Sequence, residues 1–102
     1  MGDFVRVIEA SELEPGKCME ALLGATPVAL CNVGGQFHAI SNVCAHRGGP
    51  LGKGALAGNL VICPWHAWAY DVTTGVSDVN PALSVPRYEV KVEGGDVLVR
   101  VE

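Results

Sequence analysis

The sequence predicts a small all-β domain, an antiparallel sandwich or barrel. The apolar runs, such as Leu60-Val61-Ile62-Cys63, are strand-sized and follow one another closely. Gly34-Gly35 and Gly94-Gly95 each separate two strand-like runs, and paired glycines tolerate the positive φ angles of a tight hairpin turn. No long segment carries a helical period, and there is no internal repeat. A chain of 102 residues, 49% hydrophobic with 13 glycines, suits one compact, turn-rich domain over residues 1–102. That length buries a modest core without disulfide staples.

The elements follow in order. Phe4-Val5-Arg6-Val7-Ile8 alternates β-branched residues and reads as a first strand. Ala10 to Glu14 predicts one helical turn with Ser11 as its cap, and Pro15-Gly16 a turn. Lys17 to Leu23 and Thr26 to Val33 read as strands joined tightly by Gly24-Ala25. Gln36 to Ile40 is a fourth strand, after which the regular pattern stops. It resumes with short strands at Asn59 to Ile62 and Trp68 to Val72, and Thr73-Thr74-Gly75 turns the chain. Val76 to Ser84 is irregular. Arg87 to Val92 and Val97 to Val101 make the closing hairpin around Glu93-Gly94-Gly95-Asp96.

The interruption carries the chemistry. Cys44-Ala45-His46 and Cys63-Pro64-Trp65-His66 are separated by the 16 residues 47–62. Thiolate and neutral imidazole both ligate iron and zinc, so two loops each offering one sulfur and one nitrogen can clamp a metal centre between them. Zinc sites usually pair Cys-x2–4-Cys with His-x3–5-His, or combine two Cys-x2-Cys knuckles. A Cys-x-His pair is neither, which favours an iron–sulfur centre over mononuclear zinc.

His46-Arg47-Gly48-Gly49-Pro50-Leu51 and Cys63-Pro64-Trp65-His66, with aromatics at Trp68 and Tyr70, resemble the two ligand loops of the Rieske family. The resemblance extends, more weakly, to both ends of the chain. It implies antiparallel β-sheets with both loops at one end, and a single [2Fe–2S] cluster held by Cys44, His46, Cys63 and His66. One iron then takes the two cysteines and the other the two histidines. Two ferric ions and two sulfides sum to plus two, so two cysteinates give a neutral oxidised cluster, and four would give minus two. The less negative cluster accepts an electron more readily, so histidine ligation raises the potential. His46 and His66 are expected at an exposed tip, with Cys44 and Cys63 deeper.

In the high-potential respiratory subgroup each loop has an extra cysteine, and the two form a disulfide. The matching residues here are Gly49 and Trp65. Where that subgroup has a serine bonding a bridging sulfide, this chain has Trp68. The resemblance is therefore to the ferredoxin and oxygenase branch, with a lower potential. Tyr70 either donates to a ligand sulfur or simply packs in its strand. Trp65 is expected to shield the cluster, and the Pro81-Ala82 segment to form a third covering loop.

The formal net charge of −4 argues against nucleic acid, whose phosphates need a basic patch. It permits docking to a basic protein face. Arg47 and Lys53, the only cations between Cys44 and Tyr70, either orient a partner or are solvated charges. The N-terminus shows no signal-peptide pattern, and no run approaches the roughly 20 apolar residues that span a bilayer. The expectation is a soluble, cytoplasmic protein. Cys18 and Cys31 read as buried small hydrophobes, a disulfide between them being disfavoured in a reducing compartment. His38 reads as a strand-face histidine.

The functional expectation is an electron-carrier ferredoxin, not itself an enzyme, passing single electrons from a reductase to a terminal oxygenase of the ring-hydroxylating dioxygenase type. With only His38 left, there is no second iron site of the two-histidine, one-carboxylate kind. The alternative is a small Rieske subunit of a nitrite reductase system. A module using its metal only for stability is the third reading.

Overall fold

The computed structural model describes residues 4–45, 48–65 and 68–101. Among them are nine strands and no α-helix: β1 (Val5–Glu9), β2 (Cys18–Leu23), β3 (Thr26–Val33), β4 (Gln36–Ser41), β5 (Ala55–Ala57), β6 (Leu60–Ile62), β7 (Ala69–Asp71), β8 (Arg87–Glu93) and β9 (Asp96–Arg100). Six form one antiparallel sheet in the order β1-β9-β8-β4-β3-β2. The other three form a small sheet, β5-β6-β7. The all-β expectation holds.

The large sheet is built from hairpins whose turns the glycines allow. Gly34 and Gly35 both lie in the left-handed region, at φ 58° and 98°, so β3 turns directly into β4 with Val33 opposite Gln36. Only glycine takes two such residues in succession without steric cost.

β3 is the central wall of the molecule. Its Val28-Ala29-Leu30-Cys31 run is apolar at every position and fully buried, because both faces of the strand are covered. Val28 and Leu30 point into a core shared with Ile8, Ala39, Val97 and Val99, where β1 and β9 curl back over the sheet. Ala29 and Cys31 point the other way, into a second core with Ile40, Leu51, Val61, Tyr70 and Val72. That second core joins the large sheet to the small one, and it contains Cys44 and Cys63.

Two local expectations need correction. The turn after β1 is a 3-10 turn over Ala10–Glu12, preceded by Glu9 with no side-chain cap. The Ala10 amide donates to the Gly95 carbonyl at 2.8 Å, so the turn starts immediately after the strand and Ser11 lies inside it. A second 3-10 turn, Leu51–Lys53, and the strand Ala55–Ala57 fill a stretch read from the sequence as loop. Among the described residues no helix is long and apolar enough to cross a membrane.

Candidate metal centre

Both cysteine loops are hairpin tips of the same construction. In the first, Val43 bridges Pro50, and the Cys44 amide donates to the Gly49 carbonyl at 2.9 Å. In the second, Ile62 pairs with Ala69, and the Cys63 amide donates to the Trp68 carbonyl at 2.7 Å. Each tip is therefore closed by a bond from the cysteine to the carbonyl five residues on. Within the first, the Gly48 amide returns to the Cys44 carbonyl at 2.8 Å, with Gly48 at φ 74°, a conformation that suits glycine.

The two tips meet. Cys44 is 3% exposed and Cys63 1%, both in the core between the sheets. A Cβ at Gly49 would lie 2.7 Å from Cys63 Sγ and 3.1 Å from the Trp65 ring. The first loop thus passes so close to the second that only hydrogen fits at position 49. This also places positions 49 and 65 face to face, as the resemblance implied for the pair that carries cysteines in the respiratory subgroup. Trp65 itself is 58% exposed.

Tyr70 is fully buried behind the first loop. Its hydroxyl accepts from the Ala45 amide at 3.0 Å and lies 3.2 Å from Cys44 Sγ. The amide occupies an oxygen lone pair, which leaves the phenolic hydrogen to point at the sulfur. Once Cys44 is a thiolate it has no proton to give, so the tyrosine is the donor. Of the two readings of Tyr70, the geometry selects the one in which it bonds a cysteine sulfur.

A support that the sequence did not reveal lies beneath the first loop. Asn42 is buried; its side-chain oxygen accepts from the Gly52 amide at 2.6 Å, and its nitrogen donates to Glu20 at 2.8 Å. Its own backbone bonds to Pro27 and Leu51. Asn42 thereby ties β2, β3 and the 3-10 turn to the foot of the loop. Nothing in the sequence distinguishes this asparagine from an ordinary turn residue. Glu20 also lies 3.9 Å from the exposed Lys53 ammonium.

Val76 to Ser84 forms a compact loop pinned by a Val76–Ser84 bridge and by the Asp78 amide on the Ala69 carbonyl at 2.7 Å. It sits beside the second tip, with Pro81 and Ala82 exposed. His38 is on β4, half-buried beside Arg87 and Tyr88 and opposite Cys31. Burial and the Arg87 charge hold its pKa below the ordinary histidine value. His46, Arg47 and His66 lie outside the described residues. Among the described residues no three His, Cys, Asp or Glu gather as a metal site.

The sequence matches the Rieske [2Fe-2S] domain over residues 3–91. The chain belongs to that family. It is 36% identical over 102 residues to ferredoxin CarAc of Metapseudomonas resinovorans, covering 97% of this chain and 94% of the relative. It is 39% identical over 95 residues to apoptosis-inducing factor 3 of Homo sapiens, covering 92% of this chain but spanning only 16% of that relative's length. A solved complex of reduced oxygenase and oxidized ferredoxin in carbazole 1,9a-dioxygenase contains a similar chain, with TM-score 0.86, 35% identity, and coverage of 93% and 99%. A structure described as an NADH-dependent nitrite reductase small subunit from Mycobacterium tuberculosis superposes with TM-score 0.92 at 25% identity, covering 100% and 97%.

The Rieske domain's described residues fit its cluster. Two soft sulfur donors converge from opposite hairpin tips, a hydroxyl is aimed at one of them, and a glycine keeps the space beside the other clear.

Proposed function

We propose that this Rieske domain is a single-electron carrier, taking electrons from a reductase and passing them to a terminal oxygenase of the ring-hydroxylating dioxygenase type. Cys44, His46, Cys63 and His66 hold one [2Fe–2S] cluster per chain. The observation that carries the reading is the convergence of Cys44 and Cys63 at two matching hairpin tips, with the Tyr70 hydroxyl on one sulfur.

When bound, the cluster supplies a one-electron couple. Cys44 and Cys63 hold it as thiolates inside the core, which excludes water from the sulfur side. The Tyr70 hydroxyl withdraws charge from Cys44 Sγ, which favours the more negative, reduced state. The bonds from the Cys44 and Cys63 amides to the Gly49 and Trp68 carbonyls fix the backbone at each cysteine.

The likeness to ferredoxin CarAc and to the ferredoxin in complex with its oxygenase supports the dioxygenase reading. In it, residues 1–102 act as one domain, soluble and cytoplasmic, docking to proteins and not to nucleic acid or membranes. The domain is a component of an oxidoreductase system and not its catalyst. The Mycobacterium tuberculosis likeness favours one second reading, a small subunit of a nitrite reductase system.

Reconstitution separates the two. A flavin reductase with NADH, the loaded domain and a ring-hydroxylating terminal oxygenase should consume oxygen and form product only when the domain is present. Stimulation of nitrite-dependent NADH oxidation by a nitrite reductase large subunit, with no effect on the oxygenase, would select the second reading. A loaded domain that accelerates neither system overturns the carrier role.

A further inference from the structure

The two cysteines outside the candidate centre are brought together by the fold. A two-residue turn at Gly24-Ala25 sets the β2–β3 register so that Cys18 lies directly opposite Cys31. Beside them the Asn32 amide donates to the Lys17 carbonyl at 3.0 Å. Hydrogen-bonded and non-hydrogen-bonded positions alternate along an antiparallel pair, so Cys18 and Cys31 occupy a non-hydrogen-bonded one. Cα atoms there are about 4.5 Å apart, within the span a disulfide bridges. The two Sγ atoms are 2.8 Å apart.

The two thiols are unequal. Cys31 is fully buried and Cys18 partly exposed. The contact with Cys31 lowers the Cys18 thiol's pKa, against the opposing effect of burial. The same contact and burial push the Cys31 thiol up. The less buried residue of the pair is therefore the one whose thiol ionises more readily.

We propose that Cys18 and Cys31 form a second redox site, a dithiol that a small-molecule disulfide converts to a cross-strand disulfide without touching the metal ligands. Cys18 thiolate attacks one sulfur of glutathione disulfide, breaking its S–S bond and releasing one glutathione thiolate. Cys31 then attacks Cys18 Sγ, forming the protein disulfide and displacing the second glutathione, while its proton passes to a released thiolate. The protein loses two electrons and two protons, and glutathione disulfide becomes two glutathione thiols. The bond would fasten β2, which carries Glu20 beneath the first ligand loop, to the central strand.

The test uses the cluster-loaded protein equilibrated with mixtures of glutathione and glutathione disulfide, quenched by alkylation, cleaved after Lys17 and Glu20, and read by mass spectrometry. The expected result is a peptide holding Cys18 joined to the one holding Cys31. Visible absorption should be unchanged, no glutathione should remain attached, and dithiothreitol should reverse the link. Cys31→Ser should trap one glutathione on Cys18, whereas Cys18→Ser should trap none on Cys31. The proposal is overturned if the wild type stops at a Cys18–glutathione adduct, keeps both thiols alkylatable at every ratio, or forms the link only as absorption is lost. The link is read from peptides alone, so the electron-carrier reading stands or falls separately.

Discussion

The Tyr70 hydroxyl sits 3.2 Å from Cys44 Sγ while accepting the Ala45 amide at 3.0 Å. The backbone of the ligand loop thus orients the very group that bonds the ligand sulfur. Because Tyr70 is fully buried, no water replaces its hydrogen when the ring loses its oxygen.

Tyr70→Phe should therefore lower the reduction potential. If the hydrogen bond is worth about 1 kcal/mol more to the reduced state, the fall is about 40 mV for one electron. Protein-film voltammetry reads this directly. Cluster content should be nearly unchanged, and an unmoved potential would reduce Tyr70 to packing.

Gly49→Ala should cost the protein its cluster, because the added methyl meets Cys63 Sγ at 2.7 Å. Iron and sulfide per chain, counted after reconstitution, should fall well below the wild-type value. Adding Trp65→Ala relieves the contact with the ring and not the one with the sulfur, so the double variant should remain defective.

Asn42→Ala should destabilise the fold without removing a ligand. It strands the Gly52 amide, which Asn42 accepts at 2.6 Å, inside the protein. Such a loss costs about 1–3 kcal/mol, and in a domain of this size about 1 kcal/mol moves the midpoint by roughly 4–8 °C. Thermal melts of the loaded protein should show a drop of roughly 4 to 24 °C, with the potential little changed.

His38 makes stability depend on pH. Its folded pKa lies below the ordinary value of 6.5, chiefly through burial and then through Arg87. The unfolded chain therefore binds the proton more readily. Stability from the neutral ring is present above 6.5 and is lost as pH falls from there through the lowered folded pKa. His38→Gln should lose less thermal stability than the wild type over that descent, and parallel curves would remove the assignment.

Much of this was legible in the sequence, for identifiable reasons. β3 matches the expected Thr26 to Val33 because a continuous apolar run between two glycine turns has few other uses. The two cysteines of the candidate centre stood out because ligand chemistry restricts spacing. Ala55–Ala57 was missed because Ala-Leu-Ala has neither β-branching nor alternation; it is a strand because β6 lies beside it. Ser11 was misread because a hydroxyl before acidic residues looks like a cap, whereas the turn's position is set by the distant Gly95 carbonyl. Asn42 and the Cys18–Cys31 pair depend on contacts between strands, and local pattern is silent about partners far along the chain.

The ligand assignment is the central claim, and one spectrum tests it most directly. The dithionite-reduced protein should give an electron paramagnetic resonance signal with the low average g value of a mixed cysteine–histidine [2Fe–2S] cluster, with two irons and two sulfides per chain counted on the same sample. Replacing Cys44, His46, Cys63 or His66 singly should abolish it. A silent spectrum with one zinc per chain, or a signal that survives loss of any of the four, would contradict the account.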